Sequence, residues 1–417
     1  MKYPLFFFTC TLILFGTGLL LSQNRHDGKA PLSLQEALNR AYENHPSIQI
    51  RQTFVAEAEG QKSAVAALPN PEFSYYREDL NHGEESYGEW MLAAGIPLNF
   101  LWERWSAKTA ASEQIAAQEL LVDDVRRKLK FEVQQAYGRY LYLSKMSGVW
   151  REVNSVFETA VHTAETRFSD GDISNYELQR IIMERLRYQK SAADAEAARL
   201  AQRHQLSFLI FPQHAHAGFD EVQELNIAIP ASLPEDLTAA VLQKRPDVLA
   251  AVKFLESQES ALTAEKWKRL PELNFSYGYK EQSDDLSGSV LQLSLGIPIF
   301  NINQGKVRKT RAERDRQTLE LTLLEKQVES EIHHAVEQFR FYRDQYPQFN
   351  DANEAGFQQA LSAALAAYKE GEMSLVELLD AVNAYVETFQ IRYDFLTQYY
   401  ISFFELEKVT AMSSSEF

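Results

Sequence analysis

Phe168-Ser169-Asp170-Gly171-Asp172-Ile173-Ser174 and Tyr368-Lys369-Glu370-Gly371-Glu372-Met373-Ser374 lie 200 residues apart and share an aromatic residue, a central glycine and a serine. Other pairs of matching stretches precede them in the same order. These are His45-Pro46-Ser47 with Arg245-Pro246-Asp247, Leu68-Pro69 with Leu270-Pro271, Phe73-Ser74-Tyr75 with Phe275-Ser276-Tyr277, and Gly95-Ile96-Pro97 with Gly296-Ile297-Pro298. Because order and spacing hold along the chain, they indicate a tandem duplication. Each unit is predicted to contain a helix, two strands and two long helices.

The composition restricts the classes of function. The 417 residues are 45% hydrophobic and 12% aromatic, which is enough for a large folded core. The net charge of −16 argues against a nucleic-acid partner, whose phosphates need a basic surface. No arrangement of nucleophile and base, phosphate-binding loop or zinc motif is present in the sequence, so we expect no catalysis, no cofactor and no metal site. The pairs His214/His216 and His333/His334 lack the spacing of a closed metal site and are interpreted as surface residues.

The N-terminal residues 1–22 are predicted to be a secretory signal peptide, with Lys2 before an apolar run from Leu5 to Leu21. The single cysteine, Cys10, lies inside that run and not at its end, which disfavours a lipid anchor. The mature chain would then have neither a disulfide nor thiol chemistry. No later run approaches the roughly 18 apolar residues of a membrane-spanning helix. We therefore expect an exported protein without a membrane helix.

The predicted organisation follows the duplication. The first repeat covers 23–212, with strands at about 72–80 and 87–99 (a β-hairpin at about 72–99), a long helix over 105–168, a tip at Gly171 and a helix over 174–209. A linker or equatorial region covers 213–233. The second repeat covers 234–412, with a helix over 234–270, strands at about 272–282 and 288–300 (a β-hairpin at about 272–300), a long helix from 306, a tip at Gly371 and a last helix. A tail covers 413–417. Both long helices are expected to be interrupted, at Gly148 and at Pro347.

The strands alternate between apolar and polar residues. The residues assigned to the apolar face, which we expect to contact lipid, are Trp90, Leu92, Phe275, Tyr277, Leu291, Leu293 and Leu295. A soluble sheet with one face on a core would show the same alternation. Strand lengths of about 9–11 residues, with aromatic residues near the ends, favour membrane strands. Since four strands cannot close a barrel and an open edge cannot lie in lipid, such a chain must oligomerise, and a trimer would supply twelve strands.

The duplicated plan, the Leu-Pro before a strand, the Gly-Ile-Pro closing one and the Gly-x-x-Ser tips resemble the TolC family of outer-membrane efflux channels. Three shorter stretches are similar to the CzcC-like branch of heavy-metal cation exporters: Asn70-Pro71-Glu72, the run from Pro298 to Gly305, and Tyr342-Arg343-Asp344-Gln345. The resemblance implies a mainly α homotrimer, with a twelve-stranded β-barrel in the outer membrane above a long helical tunnel in the periplasm. It also implies a periplasmic adaptor protein and an inner-membrane pump of the resistance–nodulation–division type as partners.

The resemblance also implies residue roles. Glu377 and Asp380 fall where acidic rings constrict the tunnel in the family. A charged, solvated face of an amphipathic helix would show the same residue pattern. Tyr368 and Glu177 fall where a hydrogen bond locks the closed iris, although plain coiled-coil packing fits Tyr368 equally well. Met373 stands where the family has an arginine of a second lock, which puts that lock in doubt. The tips that would dock the adaptor comprise Gly171, Asp172, Ile173, Ser174, Gly371, Glu372, Met373 and Ser374.

The leading functional hypothesis is the exit duct of a tripartite efflux system that exports heavy-metal or divalent cations. Drug efflux or type I protein secretion would use the same duct with different partners. A soluble periplasmic coiled-coil scaffold, whose strands never meet lipid, is an alternative from another class.

Overall fold

The computed structural model describes residues 31–83, 85–213, 218–227, 229–230, 233–234, 237–350 and 353–413. The predicted signal peptide, Cys10, His214, His216 and nearly all of the C-terminal tail lie outside these ranges.

The first repeat contains the helices α1 (Leu34–Asn44), α2 (Pro46–Ala66), α3 (Phe100–Ser169) and α4 (Asn175–Ile210). The second contains α5 (Leu237–Leu242), α6 (Pro246–Trp267), α7 (Gln304–Asn350), α8 (Glu354–Glu370) and α9 (Leu375–Thr410). The prediction of one helix over 234–270 is wrong, because the chain leaves the helical conformation before Pro246. A proline disfavours that conformation in the residue preceding it but suits the first turn of a new helix. Pro46 divides α1 from α2 in the same way.

The helix α3 contains 70 residues and is about 105 Å long. It continues through Gly148, so the predicted interruption there is wrong. A glycine inside a helix costs only about 1 kcal/mol, and the neighbouring Ser147 and Val149 are buried in the helical bundle. In the second repeat α7 continues past Pro347 and ends at Asn350, three residues beyond the predicted break.

Four antiparallel strands form one sheet in the order β1-β2-β3-β4, with β1 at Glu72–His82, β2 at Glu85–Pro97, β3 at Glu272–Gln282 and β4 at Ser287–Gly296. The strand β2 ends two residues before its predicted end, and β4 ends four before. The central pairing joins the two repeats, with Leu92 opposite Tyr279 and Ala93 opposite Gly278. A Cβ at Gly278 would lie 2.6 Å from the Leu92 carbonyl oxygen, so this close approach requires glycine.

The buried apolar side chains form three clusters, all within the helical part. One joins the lower halves of α3, α4, α8 and α9, and includes Phe157 and Phe389. A second surrounds Tyr137 where α1 meets α3, and a third surrounds Phe403 near the end of α9. Among the helices in the described ranges, none has an apolar window of membrane-spanning length.

Candidate functional site

The sheet has two chemically different faces. Directly opposed residues share a face, and the pairs Phe275–Leu293 and Tyr277–Leu291 place their side chains together. Strand alternation puts all seven predicted lipid-facing residues on this side, and Leu293 is 61% exposed. On the other side Lys280 forms an ion pair with Glu89, and Gln282 donates a hydrogen bond to the same carboxylate at 2.9 Å. The sheet therefore has an apolar face that its own chain leaves uncovered and a hydrogen-bonded polar face.

The first helical tip is a tight turn between α3 and α4. Gly171 has φ of +83°, a left-handed conformation that favours glycine. Ser174 is the N-cap of α4, and its hydroxyl accepts a hydrogen bond from the Glu177 backbone N–H at 3.2 Å. The Glu177 carboxylate in return accepts from the Ser174 backbone N–H at 3.1 Å, which completes a capping box.

The second tip, between α8 and α9, repeats this geometry. Gly371 has φ of +79°, and its N–H donates to the Tyr368 carbonyl oxygen at 3.2 Å. The Glu377 carboxylate accepts hydrogen bonds from the Ser374 backbone N–H at 2.8 Å and from the Ser374 hydroxyl at 2.7 Å. These hydrogen bonds lower the pKa of Glu377. The glutamates of both tips therefore cap the first turn of the following helix. The sequence analysis missed this role, although the pattern Ser-x-x-Glu is a known signal for a capping box.

Glu377 and Asp380 lie on one exposed side of α9, opposite the buried Leu378 and Val382. Their spacing of three residues places them on the same side of the helix. The predicted constriction needs other copies of the chain, so it stays a prediction.

Arg167, in the last turn of α3, connects the two tips. Its guanidinium lies 5.9 Å from the centre of the Tyr368 ring and donates to the Tyr368 carbonyl oxygen at 3.4 Å. It also lies beside Gly371, where an added Cβ would be 3.4 Å from the guanidinium. The sequence analysis missed this residue, because the two partners are 201 positions apart and carry no shared motif.

Tyr368 is 4% exposed and packs in the apolar cluster shared by the hairpins. Burial raises the pKa of its hydroxyl, with Arg167 lowering it and Glu177 raising it. In the described ranges no hydrogen bond joins the side chains of Tyr368 and Glu177. The Tyr368–Glu177 lock stays a prediction, and the contact that the structure shows is with Arg167.

Two further hydrogen bonds link the helical hairpins above the tips. Tyr385 of α9 donates to the Glu152 carboxylate of α3 at 2.5 Å, and Tyr188 of α4 donates to the Asn383 side chain of α9 at 2.9 Å. The hairpins are therefore joined at several levels within one chain, and the Arg167 contact is the outermost of these links.

Within the described residues, no group of three or more His, Cys, Asp or Glu side chains is placed to hold a metal ion. His333 is exposed and lies 3.5 Å from Glu337 on the same helix.

An amphipathic four-stranded sheet that stands on two long helical hairpins with matching tips defines a TolC-like channel fold. The CmeC outer membrane channel of Campylobacter jejuni has the same fold, with a TM-score of 0.75, 15% identity, and 99% and 96% of the two chains covered. The family model for outer membrane efflux proteins matches residues 237–411. The match covers the second repeat, and the sequence-based resemblance to outer-membrane efflux channels is confirmed.

The chain is also similar in sequence to two named relatives. The cation efflux system protein CusC of Escherichia coli K12 is 24% identical over 306 residues, covering 70% of this chain and 64% of CusC. The probable outer membrane lipoprotein SilC of Salmonella typhimurium is 22% identical over 379 residues, covering 85% of this chain and 79% of SilC. The alignment thus spans just under two thirds of the length of CusC.

Proposed function

We propose that this protein is an outer-membrane channel that forms the exit duct of a tripartite efflux system. The observation that carries the proposal is the sheet, which exposes a continuous apolar face and has two unpaired edges. Exposed leucines such as Leu291 and Leu293 on that face are costly in water and favourable in lipid. The polar face, with its Glu89–Lys280 pair, then lines a water-filled lumen.

The edges of the sheet require further copies of the chain. The strands β1 and β4 each have one partner, and an unpaired edge cannot lie in lipid. Because β1 and β4 run in opposite directions, the β4 of one copy can pair antiparallel with the β1 of the next. Three copies would give twelve strands, above a tunnel of helical hairpins that extends into the periplasm.

In such a trimer the helical tips would face a periplasmic adaptor, and Glu377 and Asp380 would form rings of carboxylates at the narrow end. Rings of like charge attract cations into a pore. The adaptor in turn would couple the channel to an inner-membrane pump of the resistance–nodulation–division type. The relationship to CusC, a protein of a cation efflux system, supports heavy-metal or divalent cations as cargo.

The channel proposal is tested by paired arginine substitutions on the two faces of β4. Leu293→Arg places a charge on the apolar face, while the control Ser294→Arg places it on the polar face. An arginine in the middle of the bilayer costs about 2–4 kcal/mol, so only Leu293→Arg should reduce trimer assembly in membranes. The measurements are the trimer fraction in isolated outer membranes and the conductance of purified protein in planar bilayers. A parent protein that stays monomeric and soluble without detergent would leave the scaffold hypothesis instead.

The cargo is tested separately in a deletion strain carrying the gene on a plasmid. Growth is compared on a panel of copper, zinc, cadmium, cobalt and nickel salts and on a panel of organic antibiotics. Cation export predicts that the protein restores growth on one or more metal salts. Restored growth on antibiotics alone would favour drug efflux through the same channel.

A further inference from the structure

The first turns of α7, directly below the sheet, concentrate positive charge. Since α7 begins eight positions after the end of β4, these turns lie next to the level where the apolar face of the sheet ends. The residues 306–316 include only two acids, Glu313 and Asp315, whereas the whole chain has a net charge of −16. The six cationic residues of this basic segment are Lys306, Arg308, Lys309, Arg311, Arg314 and Arg316.

Two arginines of the basic segment are available to a partner outside the chain. Ion pairs on α7 itself engage three of its other cations: Lys309 with Glu313 at 3.6 Å, Arg314 with Asp315 at 2.7 Å and Arg316 with Glu320 at 3.6 Å. By contrast, Arg308 and Arg311 are exposed, and neither forms an ion pair within the described ranges. Their spacing of three residues places both guanidinium groups on one side of the helix.

The helix α3 carries an exposed apolar stripe at the same level. Leu101 is 65% and Trp105 80% exposed, and the exposed Lys108 continues the stripe at steps of three and four residues. Trp105 and Lys108 follow the start of α3 by five and eight residues, or about 8 and 12 Å. Arg308 and Arg311 follow the start of α7 by four and seven residues, or about 6 and 10 Å. These four side chains are therefore at nearly the same distance from the sheet.

The stripe of α3 and the arginines of α7 belong to the same face of the helical layer. Both helices run away from the sheet, and α6 packs on each of them. On α3 the neighbour α6 lies at Ala110, whose carbonyl oxygen accepts a hydrogen bond from the Ser257 hydroxyl at 2.8 Å. The turn from Trp105 to Ala110 is about 140° around α3, and the turn from the buried Val307 to Arg308 is about 100° around α7 in the same sense. Because the two helices lie on opposite sides of α6, turns of the same sense place Trp105 and Arg308 on one face.

This face fits the boundary between lipid and water. Below a lipid-facing sheet, an exposed tryptophan such as Trp105 belongs at the membrane interface, where amphipathic rings are enriched. The loop between β4 and α7 adds Ile299, 73% exposed, and Phe300, 94% exposed, immediately before the basic turns. The headgroup layer is roughly 5–8 Å thick on each side of a bilayer, and long cationic side chains can reach into it from slightly below. An apolar rim beside a row of cations is the pattern of a surface that binds the membrane interface.

We infer that Arg308 and Arg311 bind the phosphate groups of anionic phospholipids in the periplasmic leaflet, with Trp105 beside them. Lys108 adds a third cation on the same face. Arginine suits this partner because its planar fork of N–H donors matches a phosphate group. The partner is a lipid because the cations adjoin exposed apolar side chains that a water-soluble anion would not cover. Asp315, an acid on this side of α7, lies one turn below and already has an ion-pair partner. The inference rests on the proposed channel and adds a headgroup-binding surface to it.

The test is a lipid titration of the purified, delipidated protein, followed by native mass spectrometry. Phosphatidylglycerol should bind more tightly than phosphatidylcholine, and the difference should shrink as the salt concentration rises. Each cation near an anionic lipid surface is worth about fivefold in affinity, so Arg308→Gln/Arg311→Gln should weaken phosphatidylglycerol binding by on the order of tenfold or more. Its affinity for phosphatidylcholine should stay the same. Arg308→Lys/Arg311→Lys should retain most of the preference, because the charge is kept.

Arg316→Gln is the matched control, since Arg316 is 68% exposed, pairs with Glu320 and lies about 18 Å below the start of α7. It should leave the preference for phosphatidylglycerol unchanged, and an equal loss in this variant would overturn the assigned surface. Inorganic phosphate should not displace the lipid. Displacement at equal concentrations would overturn a lipid partner in favour of a site for free phosphate.

Conductance in planar bilayers separates this inference from the channel proposal. If the parent protein conducts but binds both lipids equally, or if the double glutamine variant keeps the preference, this surface is wrong and the channel stands. If the parent prefers phosphatidylglycerol through the two arginines but neither inserts nor conducts, the channel is wrong and the headgroup-binding surface stands.

Discussion

Replacing Arg167 with methionine should loosen the contact between the two helical tips. The change keeps a long apolar stem but removes the charge, the hydrogen bond to the Tyr368 carbonyl oxygen at 3.4 Å and the cation–π contact at 5.9 Å. Both contacts are near the upper limits of their distance ranges. We therefore assign about 0.5–1 kcal/mol to the hydrogen bond and about 0.5–1 kcal/mol to the cation–π contact. The total of about 1–2 kcal/mol corresponds to a shift of roughly 5- to 30-fold in an equilibrium between closed and loosened tips.

In the proposed channel this shift should be measurable as a higher open probability in planar bilayer recordings. Arg187→Met is the matched control, since Arg187 is 71% exposed and pairs with Glu184 on its own helix at 3.6 Å. A second measurement does not depend on conductance. Because Arg167 lowers the pKa of Tyr368, its removal should raise that pKa further, which a tyrosine-specific NMR titration can follow.

The outcomes separate the contact from its consequence. An unchanged Tyr368 titration would show that Arg167 does not contact the ring in solution, and the reasoning fails at its first step. A raised Tyr368 pKa with the same open probability as Arg187→Met would retain the contact but refute its role in holding the tips. Arg167→Lys should restore only part of the effect, because an ammonium lacks the planar guanidinium geometry.

Three further predictions concern charges elsewhere in the chain. Neutralising the α9 acids with Glu377→Gln/Asp380→Asn should reduce cation selectivity in bilayers, because the proposed carboxylate rings lose their charge. Glutamine still fits the capping box, so the tip itself should be preserved. Unchanged selectivity would place the constriction elsewhere. Arg245→Met should lower the free energy of unfolding by about 3 kcal/mol in guanidinium titrations, because its side chain is 5% exposed and bound to Asp247 at 2.9 Å. A loss below about 1 kcal/mol, as for a surface pair, would show that Arg245 is effectively hydrated. A hydrogen bond from Arg199 lowers the pKa of Glu196 to about 2. This carboxylate should therefore add to the free energy of unfolding above about pH 4.5, and its contribution should disappear as the pH falls toward about 2. In Glu196→Gln that part of the pH dependence of the free energy of unfolding should be absent.

The architecture was predictable because its signals are local and occur twice. Alternation along 272–282 fixes the two faces of β3 without knowledge of any partner, and Gly171 and Gly371 mark turns by their own conformational freedom. Helix continuity was less predictable, since it depends on packing. Gly148 weakens a helix only slightly, and the burial of Ser147, whose hydroxyl donates to Glu196 at 2.8 Å, outweighs that cost.

The charged contacts between distant segments could not be predicted from one sequence. Arg127 of α3 lies 3.4 Å from Asp247 of α6, and the two are 120 positions apart with no motif that links them. The Arg167–Tyr368 contact has the same character. Such pairs become visible only after the fold has placed the helices side by side. Sequence reasoning therefore finds the candidate acids at the tips but misses Arg167, which contacts Tyr368 of the other hairpin.

The duplication also separates the two acids proposed for the constriction. Glu377 has a counterpart at Glu177 with the same capping geometry, so its presence is explained by the turn alone. The counterpart of Asp380, 200 positions earlier, is Arg180, so at this position the repeats carry opposite charges. Asp380 is exposed and has no capping role, whereas the Glu377 carboxylate already accepts two hydrogen bonds from Ser374. If the second hairpin forms an electronegative ring, Asp380 should therefore contribute more of the cation selectivity, and the single variant Asp380→Asn should reproduce most of the effect of the double variant.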